Sequence, residues 1–175
     1  FGYGVIETWD VLRVAPSQLP DSPQRRHVRR ATASDVPAIK RVYEQQRAGT
    51  TGQLLRSAWW WKRRVLDLAP EHVVYIDDKS LRVTGYLLYD VPEEPAFPHQ
   101  TCRVAEIRAA HGEAYRGLLG FLAALVDQYQ AIELELLPGD ARWVQRHHGI
   151  AGIPQPVSSN GISGAPVFAI DANGN

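Results

Sequence analysis

The stretch of this sequence whose residue types best suit chemistry is Arg108-Ala109-Ala110-His111-Gly112-Glu113-Ala114. A glycine-bearing turn that opens a helix presents unpaired backbone N–H groups at the positive end of the helix dipole, which is how proteins hold the diphosphate of a nucleotide cofactor. Arg108, His111 and Gly112 are therefore the candidate cofactor-binding residues. Glu113 argues against that use, because its carboxylate would stand where a diphosphate must sit. A second cluster, Trp59-Trp60-Trp61, turns through ~100° per residue on a helix, so the three rings cannot share one core. Trp59 and Trp60 are accordingly candidates for a domain or subunit interface, with a stacking platform for a ligand as the alternative. Lys62, Arg63 and Arg64 beside them read as a solvated face.

Other reactive residue types give less. His147 and His148 are adjacent and point apart in helix and strand alike, so they pre-form no metal site. Cys102 lies in an apolar strand pattern with no neighbouring base and reads as a buried thiol. No Ser-His-Asp pattern or paired-carboxylate site stands out, and no catalytic residue is assigned to the chain. Lys and Arg balance Asp and Glu at 19 each, which removes the basic field with which nucleic-acid binders collect phosphates. A hydrophobic share of 45% over 175 residues calls for a packed core rather than a disordered or fibrous chain. A lone cysteine makes no internal disulfide, which fits a reducing, cytoplasmic setting. The longest apolar run, Leu118 to Val126, is far shorter than the ~20 residues that span a bilayer. The opening FGYGVIETWDVLRV has neither an initiator methionine nor the regions of a signal peptide, so the sequence is expected to start inside a longer protein.

The elements that must position these residues follow from periodicity. Residues 4–14 read as a strand with Val5, Trp9 and Val11 on one side, and Pro16, Pro20 and Pro23 then mark an extended linker. A short strand is predicted within 27–32, and a first helix starts at an Ser34 N-cap and buries Val36, Ile39, Val42 and Tyr43. A second helix is predicted over 53–68, with Leu54, Ala58, Trp61, Val65 and Leu68 along one face and Pro70 as its stop. An antiparallel hairpin over 72–76 and 83–91 follows, then a strand over 102–109. The stripe Tyr115, Leu118, Leu119, Leu122, Leu125, Val126 and Tyr129 predicts a main helix, in which Tyr115 is a core residue. Gly117 and Gly120 each weaken that helix by about 1 kcal/mol relative to alanine, so they predict close approach by a strand or a partner. IELELL alternates strictly and predicts a strand with Ile132, Leu134 and Leu136 inward. Beyond Pro138 the sequence offers a short helix around Trp143 and then a tail rich in Gly, Pro and Ser.

From His27 onward the element order is that of the GNAT acetyltransferase superfamily, and the segments RRATASDVPAIKRVY, RSAWWWKRR and VAEIRAAHGEAYRGLLGFLAALVDQ resemble the central domain of the enhanced intracellular survival family. The resemblance covers roughly residues 1–140. It implies an α+β, αβα-layered GNAT-like (acyl-CoA N-acyltransferase) fold with a mixed, mainly antiparallel sheet flanked by helices. It implies that 1–14 is the last strand of a preceding catalytic GNAT domain, 15–26 a linker, 27–140 a second GNAT-like domain, and 141–175 a lead toward a missing sterol-carrier-like domain. It also places Phe1 and Tyr3 beside a substrate or interface surface, and the family's general-acid tyrosine before Phe1. The parent protein would pass acetyl from acetyl-coenzyme A to an amine such as an aminoglycoside or a lysine, without a metal, as a homo-oligomer, with no membrane or nucleic-acid partner. The superfamily's cofactor loop reads Arg or Gln, two residues, Gly, one residue, Gly or Ala; the stretch from Arg108 to Ala114 is one residue too long for it. A scaffolding domain that binds no cofactor is the reading this favours. A stand-alone acetyltransferase with a variant loop at 108–114 and a non-enzymatic small-ligand module remain as alternatives.

Overall fold

The computed structural model describes residues 9–48, 53–67, 71–90, 100–136 and 154–157. Seven strands form one sheet in the order β2-β3-β4-β5-β6-β1-β7: β1 Trp9–Val14, β2 Val28–Arg30, β3 Glu71–Ile76, β4 Val83–Asp90, β5 Thr101–Ala109, β6 Ala131–Leu136 and β7 Pro154–Val157. Every adjacent pair is antiparallel except β5 and β6. Helix α1 (Val36–Ala48) and the short α2 (Ala58–Trp60), which continues as a π-helix over Trp61–Leu66, pack on one face; α3 (Gly112–Ala123) packs on the other. A separate apolar core fills each face, so the expected αβα layering is what the chain adopts.

The strand reading holds for the hairpin β3–β4, for β5 and for β6, where Ile132 and Leu134 are fully buried and Glu133 looks outward. Several expectations are corrected. Within 1–14 the described strand, β1, pairs with β6 from Asp10↔Leu136 to Val14↔Ile132, and Leu12 and Val14 enter the α3 core. It is a member of this sheet, and Leu12 and Val14, not Val11, face inward.

The segment 15–26 is no open linker either. It folds into two 3₁₀ turns, Pro16–Gln18 and Pro23–His27, and lies as a strap against α3 with Leu19 and Ser22 buried. Here the helix glycines find their reason. A Cβ on Gly117 would stand 2.6 Å from the Tyr75 ring and 3.1 Å from the Gln24 carbonyl oxygen, and one on Gly120 would stand 3.0 Å from the Ser22 Cβ.

The second helix is shorter than its apolar spacing predicts. Residues 53–57 are irregular, Ser57 accepts from the Trp60 N–H at 3.2 Å to start the helix, and Asp67 N–H reaches back five residues to Lys62. Tyr43 donates its hydroxyl proton to the Leu54 carbonyl at 2.8 Å, engaging an acceptor that a helix running from residue 53 would use for its own ladder. Helix α1 begins not at an Ser34 cap but through a 3₁₀ turn, Ala33–Asp35, in which Asp35 accepts from both the N–H and the hydroxyl of Thr32. Arg29 closes on Asp35 with two bonds of 2.7 and 2.8 Å and holds its carboxyl well below the usual carboxylate range. At the other end the regular turns of α3 stop at Ala123, leaving Leu125 buried but Val126 exposed.

Candidate functional site

Two places carry polar chemistry, one on each face. The first is the start of α3. Only Ala110 and His111 separate β5 from the helix. His111 is the N-cap: its Nδ1 accepts from the Ala114 N–H at 3.3 Å and its carbonyl from the Tyr115 N–H at 3.2 Å, while Ala110 N–H is taken by the Thr84 carbonyl at 2.8 Å. His111 Nε2 lies 3.7 Å from Asp77 Oδ2, and its ring meets Tyr75 edge-on. Burial pushes the Tyr75 phenol up, and the carboxylates of Glu113, Asp78 and Asp77 push it further, with Arg26 opposing them. Gly112 opens the helix with Arg116 Nη1, 3.8 Å away, as the only neighbour a Cβ would meet.

The second place is built by a bulge in β5. Strict alternation from Cys102 and Val104, both in the α3 core, would send Glu106 to the same side. Instead the register with β4 shifts between Leu88↔Glu106 and Tyr89↔Val104, so Ala105 is an extra residue, and Glu106 and Arg108 enter the α1–α2 face. There Arg56 binds Glu106 through both Nη atoms at 2.9 and 3.2 Å, and Arg108 Nε adds a bond of 3.0 Å. The Arg56 guanidinium lies 3.9 Å from the Tyr43 ring centre and 4.9 Å from that of Trp61. Burial alone would raise the Glu106 carboxyl, but Arg108 and Arg56 outweigh it and hold it below its ordinary value. A carboxylate so clamped is a poor acceptor for an ammonium proton.

Among the described residues β5 and β6 form the one parallel pair, from Thr101↔Ala131 to Val104↔Leu134.

The sequence profile described as acetyltransferase (GNAT) domain matches residues 52–147, more than half of the chain. The chain belongs to the GNAT acetyltransferase family. Among solved structures it is similar to a GCN5-related N-acetyltransferase from Anabaena variabilis (TM-score 0.68, 16% identity, 87% of this chain and 38% of that one). A GCN5-related N-acetyltransferase from Kribbella flavida gives a TM-score of 0.63 at 17% identity over 86% of this chain and 36% of that one. Eis1 from Mycobacterium abscessus gives 0.58 at 26% identity over 80% and 36%. The GNAT chain thus spans little more than a third of the length of these structures. No curated protein matches it.

GNAT domains use acetyl-coenzyme A, and the residues here can be tested against it. The start of α3 does not suit the diphosphate. The His111 side chain already takes up one helix N–H. Glu113, in the first turn of α3, sets a carboxylate close to the N–H groups that would hold a diphosphate. The residues present therefore do not fit the whole cofactor, and no catalytic step is assigned to them.

Of the candidate residues, Arg108 points away from the α3 loop into the opposite face, so it cannot head a diphosphate cradle, while His111 and Gly112 form the helix start itself. Trp61 is buried between α1 and the sheet, Trp60 is half-buried, and Trp59 is 60% exposed. Phe1, Tyr3, Trp143, His147 and His148 lie outside the described residues. Cys102 is fully buried and its thiol is pushed up to about 12, chiefly by burial, which leaves it unreactive. Among the described residues no group of three or more His, Cys, Asp or Glu could hold a metal, and no helix is long and apolar enough to cross a membrane. Sequence reading missed Arg56, Glu106, Tyr43 and Tyr86 as a cluster, because only the bulge and the irregular 53–57 segment bring them together.

Proposed function

We propose that this chain is a GNAT-like module that holds no cofactor of its own within a larger N-acetyltransferase of the enhanced intracellular survival type. Acetyl transfer from acetyl-coenzyme A to an amine, of the aminoglycoside or lysine class, would take place in a neighbouring GNAT domain. The observation that carries the reading is the start of α3, capped by His111 and surrounded by Glu113, Asp77 and Asp78, where a working module would hold the diphosphate. Glu106, locked by two arginines on the α1–α2 face and so a poor proton acceptor, supports it. The likeness to Eis1 and the share of that structure covered agree with a module of a longer protein.

On this reading the module is cytoplasmic and buttresses the catalytic domain. Exposed Trp59 is a contact point for an adjacent domain, such as the sterol-carrier-like one, or for another copy in an oligomer. One other reading is a stand-alone acetyltransferase with a variant loop at 108–114, because His111 and Gly112 do form the start of α3 directly after β5. Calorimetric titration with acetyl-coenzyme A separates the two. No saturable heat is expected; binding with a Kd of about 10 μM or tighter would overturn the proposal.

A further inference from the structure

Formal charge is unevenly placed along this chain. The layer made by α1, by α2 with its π-helical continuation, and by Asp67 carries six cations, Lys40, Arg41, Arg47, Lys62, Arg63 and Arg64, against two carboxylates, Glu44 and Asp67. The whole sequence is neutral, so this positive surplus is balanced elsewhere. Arg47 closes on Glu44 at 2.7 Å, and Lys40 Nζ stands 5.9 Å from the Trp61 ring centre, which brings a cation of α1 against the second helix. Lys62 and Arg63 share the Asp67 carboxylate at 3.6 Å each, beyond hydrogen-bond length, with side chains 71% and 62% exposed. Arg41 and Arg64 are exposed and make no ion pair among the described residues.

Exposed Trp59 lies within about one turn of Lys62 and Arg63. Its ring is backed by half-buried Trp60, with centroids 6.4 Å apart and planes at 61°. Trp61 and Val65, the buried residues of the same stretch, turn to the sheet, so Trp59 and the two cations look outward.

An indole backed on one side and set beside a guanidinium is the combination that anchors protein–protein contacts. A bilayer asks for more. The apolar faces of both helices are turned to the core through Ile39, Val42, Tyr43, Trp61 and Val65, and attachment to lipid needs a broad apolar face as well as charge. A second copy offers this surface little, because its Asp21, Asp35, Glu71, Glu106 and Glu133 are each closed on an arginine. We propose that the outer surface of α1 and α2 docks on an acidic helical surface of a protein partner other than a second copy, with Trp59 as anchor and Lys62 and Arg63 matched to the partner's carboxylates. The proposal rests on Trp59 being a contact point and adds the chemistry of what it contacts. Titration with acetyl-coenzyme A tests the start of α3, and its outcome leaves this surface untouched.

The test is an NMR titration of this chain with an alanine-based helical peptide carrying glutamates one turn apart, against a twin with glutamine in their place. In ~20 mM salt the glutamate peptide is expected to saturate with a Kd of about 0.1–1 mM and to shift the Trp59 indole signal. At ~150 mM salt it should bind at least about fivefold more weakly. Arg63→Glu should weaken it about tenfold and Trp59→Ala about fivefold to tenfold, and both positions are exposed enough to leave the fold intact. Arg82→Glu, at an exposed cation of the β3–β4 turn outside the layer, should change it by less than about twofold. Equal binding of the glutamine twin, an equal loss in Arg82→Glu, or affinity unchanged in both patch variants would each overturn the proposal. Binding at least as tight to phosphatidylglycerol vesicles or to oligothymidylate would overturn it in favour of lipid or nucleic acid. Self-association of this chain that Arg63→Glu abolishes, without peptide binding, would overturn it in favour of a second copy.

Discussion

Each face of this sheet carries an apolar core, but the core beneath α1 and α2 also takes in ions. Beneath α3 the interior is dry and close-packed: Leu118, Leu119 and Leu122 meet Leu12, Ile132 and Leu134, and the helix comes so near the strap that Gly117 and Gly120 have no room for a side chain. Beneath α1 and α2 the interior holds ions, with Arg56 clamped between two aromatic rings and a buried carboxylate. One strand serves both, and the single extra residue at Ala105 decides which side chains go where. Shape specifies one face, while charge balance specifies the other, and a buried charge must be matched wherever it is kept.

The comparison is broken most forcefully at Glu106. Glu106→Gln leaves two guanidiniums without their counter-ion, and a loss of about 3–5 kcal/mol is expected in urea denaturation. A loss below ~1 kcal/mol would mean that water already screens the cluster and that the faces do not differ in kind. Gly117→Ala tests the other face. Its new Cβ collides with the Tyr75 ring, an overpacking cost of about 1–3 kcal/mol that the ~1 kcal/mol helix gain only partly offsets. Gly112→Ala, where a Cβ meets little, should change stability by less than ~0.5 kcal/mol, and equal effects at the two glycines would refute the packing account.

The third probe is Asp35 at the start of α1. Its carboxyl is lower in the folded chain than in the unfolded one, so its stabilisation is present above the unfolded value near 4 and is lost as pH falls below that. Asp35→Asn should cost about 1–2 kcal/mol at pH 7 and flatten the acid limb of a stability-against-pH curve. A parallel acid limb in the variant would assign the dependence elsewhere.

Period and spacing made much of this fold legible. β3 to β6 and α3 follow from alternation and from the stripe Leu118, Leu119, Leu122, since each pattern is local and one face of each element is apolar. The partner of β1 was not legible, because pairing between residues 10–14 and 132–136 is a long-range choice that the strand sequence does not encode. The second helix was overextended because apolar spacing registers burial and not hydrogen bonding; the Tyr43 bond to Leu54 is invisible to it. The cluster around Glu106 stayed hidden for a related reason, since a bulge reverses the side on which every later side chain falls.

The closure of β1 on β6 also sets a timetable. Arg13 meets Glu133 across 120 residues of chain, so β1 is synthesised long before its partner. At the usual ~5–20 residues per second of translation, that strand waits roughly 6–24 s with Leu12 and Val14 unshielded, and only the emergence of β6 can seal the sheet.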